Sequence, residues 1–328
     1  MSAPLLRLDR LDVDYRTSSG NISAVQGVSL EVPKGTTVGL VGESGSGKST
    51  IAAAILRLLP RNATVSPQSI FFGGVDLGTL SDKELSQKWR WREMAMVFQR
   101  SLSALSPVHR IGAQLDDVLR INEPELSKHQ RAERLEHLLK TVQLPERVLR
   151  SYAFELSGGM MQRTMIAFGL LCSPPFLIFD EATTALDVIT QAQILREVNR
   201  LQQEFDLTAV VISHDVGVIN ATSNVVAVLY AGQLMEVAPR QRFFTAPAHP
   251  YSKALIESVP RVSGTSGRLT AIPGSLPDLK HPPPGCRFAP RCTFAMPECS
   301  AAIPPLYQLE DGHLVRCVLY KDNPVEAP

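Results

Sequence analysis

The stretch "VGLVGESGSGKST" constrains this chain more than any other. Gly42 to Ser49 fits G-x-x-x-x-G-K-[ST], preceded by the apolar run Thr37–Val41 and followed by "STIAAAILRLL". Those flanks predict a buried strand, a tight loop and a helix, the setting in which this spacing binds phosphate. Glycines let consecutive backbone N–H groups converge on phosphate oxygens, and the helix start adds partial positive charge. Gly42, Ser44, Gly45, Gly47, Lys48, Ser49 and Thr50 are the candidate nucleotide-binding residues. Lys48 would reach the β- and γ-phosphates and Ser49 would ligate Mg²⁺. The plain alternative is a Gly-rich turn with no ligand.

A phosphate loop needs acids on a neighbouring strand. "PPFLIFDEATTALD" supplies an apolar run, Phe176–Phe179, ending in Asp180 and Glu181. Ligands of parallel sheets gather at such strand ends. Asp180 is assigned to Mg²⁺ and Glu181 to polarising the attacking water as general base. A solvated acidic pair is the alternative. "TAVVISHD" repeats the form and places His214 at a strand end. A lone histidine there reads equally as an ordinary surface residue. In "ELSGGMMQR", Ser157 is an acceptable N-cap followed by Gly158 and Gly159, which makes either a second anion site or a routine cap.

The remaining features bound the class. The chain has 328 residues, 44% hydrophobic and 20% charged, with formal net charge +1. That balance predicts a globular protein without a phosphate-tracking surface, so no nucleic-acid partner is expected. No apolar run approaches the roughly 20 residues of a membrane helix. Charges interrupt "MSAPLLRLDRLDVDY" where a signal peptide would be apolar, so a cytosolic chain is expected. In the cytosol, clustered cysteines are metal ligands more often than disulfides. Four of the 5 cysteines, Cys286, Cys292, Cys299 and Cys317, crowd the tail with spacing C-x₅-C-x₆-C-x₁₇-C. The spacing lacks structural-zinc knuckles and standard ferredoxin runs, leaving iron–sulfur, zinc and no metal all open. Cys172 reads as a core thiol.

Together, these stretches resemble the ATP-binding cassette (ABC) proteins that power membrane transporters. "GESGSGKS" resembles Walker A, "LSGGMMQR" the signature, "FLIFDE" Walker B with its catalytic glutamate, and "ALD" (residues 185–187) the D-loop with Asp187. Gln99 in "MVFQRS" resembles the Q-loop glutamine, which the likeness implies serves Mg²⁺ and catalysis. His214 resembles the switch histidine, and Tyr15 the aromatic that stacks on adenine, though it could also be a core residue. The resemblance implies hydrolysis of ATP to ADP and phosphate by a head-to-tail pair of cassettes. Ser157, Gly158 and Gly159 would then face the ATP held by the partner.

A narrower likeness is to the oligopeptide, dipeptide and nickel importer subgroup. "FQRSLSALSPVHRIGAQ", "HPYSKAL" (249–255) and "IPGSLPDL" (272–279) carry it. Arg100 and Ser101 stand where Asp-Pro is usual, and Ala182 where proline is usual. The subgroup's C-x-F-x-x-R-C tail, matched by Cys286 to Cys292, implies a [4Fe–4S] cluster in some members. The implied partners are a second cassette (copy or paralogue), two permease subunits and, indirectly, an extracytoplasmic solute-binding protein. The implied location is peripheral, on the cytoplasmic face of the inner membrane. An exporter cassette and a soluble ABC-type ATPase in a non-transport process are the rivals.

The expected fold is α/β: a P-loop NTPase (RecA-like) core with an antiparallel β subdomain, an inserted α-helical subdomain and a Cys-rich C-terminal extension. Residues 1–97 and 166–240 are expected to form the core. Residues 98–165, with helical periodicity and alternating charge in "PELSKHQRAERLEHLLKTVQL", form the helical part. Residues 241–328 form a Pro-rich, irregular extension.

Overall fold

The structure is a computed structural model that describes residues 3–98, 105–182, 187–258, 272–310 and 312–322. The chain divides into two compact units, residues 1–78 with 211–328 and residues 79–210.

In chain order, the first unit opens with β1 (Leu6–Thr17), β2 (Gly20–Val32), β3 (Thr37–Val41), helix α1 (Lys48–Ile55), β4 (Ala63–Val65), β5 (Ile70–Phe72) and β6 (Val75–Asp76). The second unit contains β7 (Met94–Val97), α2 (Ile111–Asn122), α3 (Lys128–Thr141), α4 (Gly158–Leu170), β8 (Phe176–Asp180) and α5 (Val188–Phe205). Strand β9 (Thr208–Ser213) carries the chain back to the first unit. There follow α6 (Val216–Thr222), β10 (Val225–Tyr230), β11 (Gln233–Pro239), α7 (Arg240–Thr245), α8 (Pro250–Glu257), α9 (Pro297–Ala301), β12 (Tyr307–Gln308) and β13 (Leu314–Val315).

The first unit has an antiparallel sheet, β2-β1-β5-β6, with β4 also on β1. Strand β1 buries Leu6 and Leu8, then Leu11 and Val13. Simple alternation would turn the second pair to the other face. A register shift between Leu8 and Leu11, with Arg10 at φ 44°, takes up one residue and keeps all four inside. In the other sheet of this unit β3 lies parallel to β10, and the order continues β10-β11-β13-β12. All five residues of β3 are buried, as its unbroken apolar run predicts.

Among its described residues, more than half of the tail lies outside helix and strand, in line with its proline content. Its last strands nevertheless pair with the sheet: Leu314 and Val315 sit opposite Val237 and Glu236 of β11. Two residues per strand leave too short a pattern for sequence periodicity to register. Glu236 is fully buried there, and its carboxylate accepts from the backbone N–H groups of Ala248 (2.9 Å) and His249 (2.7 Å) and lies 2.8 Å from His313 Nε2.

In the second unit β7 and β8 run parallel, Met94 opposite Phe176 and Val97 opposite Phe179. Helix α3 starts from a capping box: Ser127 Oγ accepts from the Gln130 N–H, and Gln130 Oε1 accepts from the Ser127 N–H. Buried Glu197 of α5 accepts from Gln143 Nε2 (2.9 Å) and pairs with Arg200 (2.6 Å), tying α5 to the end of α3.

Candidate active site

The loop Gly42–Ser49 joins β3 to α1, as its flanks predict. Gly47 is the N-cap of α1 in the left-handed region, φ 99°. A Cβ there would lie 2.6 Å from the Ala24 carbonyl oxygen, and one on Gly42 would lie 2.0 Å from that of Leu229. Both obstacles are backbone, so neither position admits a side chain. Lys48 is only 5% exposed. Its ammonium donates to the carbonyls of Gly42 (2.6 Å) and Glu43 (2.9 Å) and to Ser46 Oγ (3.3 Å). Ser44, Gly45 and Ser49 are exposed and Thr50 is half-buried. Tyr15, half-buried on β1, brings its hydroxyl to 3.5 Å from Thr50 Oγ1. The unit thus gathers Tyr15, Lys48, Ser49 and Thr50 around one helix start. His214 is exposed at the end of β9, just ahead of α6, which Asp215 caps by accepting from the Gly217 N–H (2.7 Å).

The second unit carries the acids and the signature. Asp180 ends β8 and is 6% exposed. Glu181 follows at φ 49°, a left-handed conformation that a non-glycine residue holds at a cost of about 1–3 kcal/mol. Such strain collects at functional positions. Ser157 caps α4, its Oγ accepting from the Met160 N–H at 3.3 Å. Asp187 caps α5, accepting from the N–H groups of Ile189 (3.1 Å) and Thr190 (3.0 Å) and from Thr190 Oγ1 (2.6 Å). The Thr190 hydroxyl, then its N–H, hold the Asp187 carboxyl below the usual range. The two caps are neighbours: a Cβ on Gly159 would lie 2.8 Å from Thr190 Cγ2. Gln99, Arg100, Ser101, Ala185 and Leu186 lie outside the described residues.

Two tail residues, Tyr251 and Arg291, contact the loop in a way that no local spacing predicts. Glu43 occupies a variable position of the motif, yet Arg291 Nη1 donates to its carboxylate oxygens at 3.1 and 3.0 Å. The Glu43 N–H donates to Tyr251 Oη at 2.9 Å. Arg291 also donates to Tyr230 Oη at 3.0 Å. These partners are about 200 residues away along the chain, beyond any local pattern, although Arg291 stands in the C-x-F-x-x-R-C run.

The tail cysteines are free thiols: Cys286, Cys299 and Cys317 are buried and Cys292 is half-buried. Burial raises Cys286 and Cys292 and pushes Cys317 up to about 11, and the neighbouring thiols add to each shift. Cys292 Sγ accepts from the Phe294 N–H and Cys299 Sγ from the Met296 N–H, each at 3.4 Å. Among the described residues, however, no three His, Cys, Asp or Glu side chains are gathered to hold a metal ion. The thiols share a neighbourhood and bond locally to their own turns, so a ready-made cluster cage is not present. Cys172 lies apart and is half-buried, not a fully buried core thiol as its sequence reads, and burial pushes it up to about 12.

Residues 25–184 match the family described as ABC transporter, and residues 235–299 match the oligopeptide/dipeptide transporter, C-terminal region. Across 96% of its length the chain is 42% identical to the oligopeptide transport ATP-binding protein OppD of Haemophilus influenzae, covering 97% of it. The chain belongs to the ABC transporter family. It is an ATPase of the cassette type. It is likewise 41% identical to the dipeptide transport ATP-binding protein DppD of Bacillus subtilis, covering 94% of that protein. A putative peptide import ATP-binding protein of Brucella melitensis is 41% identical, with 95% covered. A solved dimer of the cassette MJ0796 bound to ADP and phosphate matches 72% of this chain and 98% of its own, at 28% identity and TM-score 0.64. The cassette fold of mixed α and β structure follows. Among the described residues, no helix of this cassette is long and apolar enough to cross a membrane.

Proposed function

We propose that this chain is the ATP-hydrolysing subunit of a membrane importer for peptides or related small solutes. The observation that carries it is end-to-end likeness at about 40% identity to peptide-import ATP-binding proteins, including the C-terminal region over residues 235–299. That region disfavours an exporter cassette or a non-transport ATPase. The chain works peripherally on the cytoplasmic face of the membrane, beneath two permease subunits contacted by the helical segment 98–165. A solute-binding protein outside selects the cargo. A second cassette, copy or paralogue, pairs head to tail with it. The dimeric cassette among its structural neighbours supports that arrangement.

The residue roles follow from the chemistry of the loop and the acids and, for Tyr15, Gln99, His214, Asp187 and the signature, from the family resemblance. Lys48 and the loop N–H groups hold the β- and γ-phosphates, and Tyr15 stacks on adenine. Ser49, Gln99 and Asp180 would hold Mg²⁺, which would neutralise charge on the phosphates. Glu181 takes a proton from water, whose oxygen attacks the γ-phosphorus as the bond to the β-phosphate oxygen breaks and ADP leaves. His214 hydrogen-bonds the γ-phosphate. Ser157, Gly158 and Gly159 meet the partner's ATP, with Asp187 beside them. ATP favours the closed pair because only that state makes both sets of contacts. The test is Glu181→Gln: ATP hydrolysis should drop by about 10²–10⁴-fold while ATP still drives pairing. Wild-type turnover would remove Glu181 from the role. In proteoliposomes with the permease, peptide-loaded binding protein should stimulate hydrolysis; stimulation by no peptide would remove the importer reading.

The finer reading of the tail is a [4Fe–4S] cluster on Cys286, Cys292, Cys299 and Cys317. Four cysteines within one tail segment and two N–H···S hydrogen bonds support it. Iron and sulfide content of protein purified without oxygen decides it; zinc or no metal sinks it.

A further inference from the structure

Glu43 is fixed at each of its polar groups. Its carbonyl accepts from the Ser46 N–H (3.2 Å) and Lys48 Nζ (2.9 Å), closing the loop internally. Its N–H goes to Tyr251 and its carboxylate to Arg291, both near or within the tail. Arg291 is itself held: its side chain is 6% exposed, Nε donates to the Pro273 carbonyl (2.7 Å) and Nη2 to that of Ile272 (3.3 Å). Tyr230, Tyr251 and Phe288 pack mutually beneath it, with ring centroids 4.7 to 5.2 Å apart. A buried guanidinium with four fixed acceptor groups is a rigid anchor, and one nitrogen, Nη1, shared between both Glu43 carboxylate oxygens carries the charge to the loop.

We infer that Arg291 is a positioning residue for nucleotide binding, acting from the cysteine-rich tail through Glu43 to hold the phosphate loop in its binding shape. The inference rests on the assignment of Gly42–Ser49 to nucleotide phosphates. Neither side chain touches nucleotide in this account. Glu43 carries a negative charge into a loop that binds anions, which by itself disfavours phosphate; Arg291 cancels that charge and aims the Glu43 carbonyl at Lys48. The tail thereby sets ATP affinity, and Cys292, next in the chain after Arg291, ties that anchor to the thiol segment.

The experiment is a titration of the full-length protein with a fluorescent N-methylanthraniloyl-ATP and Mg²⁺, with steady-state kinetics alongside. Arg291→Gln should weaken binding about 5–10-fold and raise KM similarly, with kcat within about twofold. Arg291→Lys should restore part of the affinity. If the two residues act as one device, the Arg291→Gln, Glu43→Gln double variant binds no more weakly than Arg291→Gln alone. Unchanged affinity in Arg291→Gln, or losses that multiply in the double variant, overturns the inference. Should Arg291→Gln fail to fold, Tyr251→Phe, which removes only the hydroxyl that meets the Glu43 N–H, carries the test: unchanged affinity there overturns it. Lys48→Ala separates the underlying reading: if it binds the probe like wild type, the phosphate-loop assignment fails and takes the inference with it.

Discussion

The starts of α1 and α4 both carry glycine, at the N-cap of α1 and in the first turn of α4, yet they are built in opposite ways. At α1 the glycines are walled by backbone, Ser46 and Lys48 are buried, and Glu43 is clamped from the tail. At α4 Ser157 and Gly158 are exposed, and the cap is one serine hydrogen bond. The first is a loop whose walls, lysine and clamp all come from its own unit, while the acids Asp180 and Glu181 belong to the other. The second leaves its serine and first glycine exposed, which suits the proposed meeting with a partner's ATP. Anion capture and anion sensing thus call for different rigidity.

Lys48→Ala tests the walled loop and should have the largest effect. Hydrolysis should fall about 10²–10³-fold with loss of ATP binding, the scale for removing one preorganised charge-stabilising donor. Equal loss from Ser157→Ala would erase the distinction between the two helix starts. Gly159→Ala sharpens it. The added methyl meets a side-chain methyl of Thr190, not backbone, so hydrolysis should fall only several-fold, and Thr190→Ser should restore much of it by removing that methyl while keeping the hydroxyl for Asp187. No rescue by Thr190→Ser would assign the loss to the partner's ATP.

The two units also differ in their response to acid. Burial first, with help from neighbouring Arg316 and Lys253, lowers His249 to about 4. The unfolded chain takes up that proton first, so stability is full above about pH 6.5 and falls toward pH 4, by up to about 3 kcal/mol. Glu236 adds to the same loss at lower pH: burial alone would raise it, but His313 and the Ala248 and His249 N–H groups hold it below the usual range. Asp187 in the second unit, also lowered, releases its stabilisation only below the usual aspartate range. Urea unfolding from pH 7 to 4 should show the first unit weakening earlier. His249→Asn, which keeps an N-cap acceptor, should flatten that slope.

The elements around the phosphate loop were legible because a glycine-rich spacing and two unbroken apolar runs leave few other folds. Asp180 and Glu181 were placed by strand-end reasoning, but the left-handed backbone of Glu181 left no trace in residue types. The signature was readable only through resemblance, since its local physics is that of any capped helix. Glu43–Arg291 and β11–β13 escaped because long-range pairs and two-residue strands carry no periodicity.

Glu236 and Val237 find their ladder partners in the last part of the tail. The tail therefore guards an edge. Were the chain cut after Arg240, β11 would present unpaired backbone and its buried carboxylate would lose His313 and its backbone donors, turning the sheet margin into a template for another chain's strand. A shortened cassette that keeps every nucleotide-binding residue should consequently be recovered as aggregate, which size-exclusion chromatography would reveal before any assay of ATP.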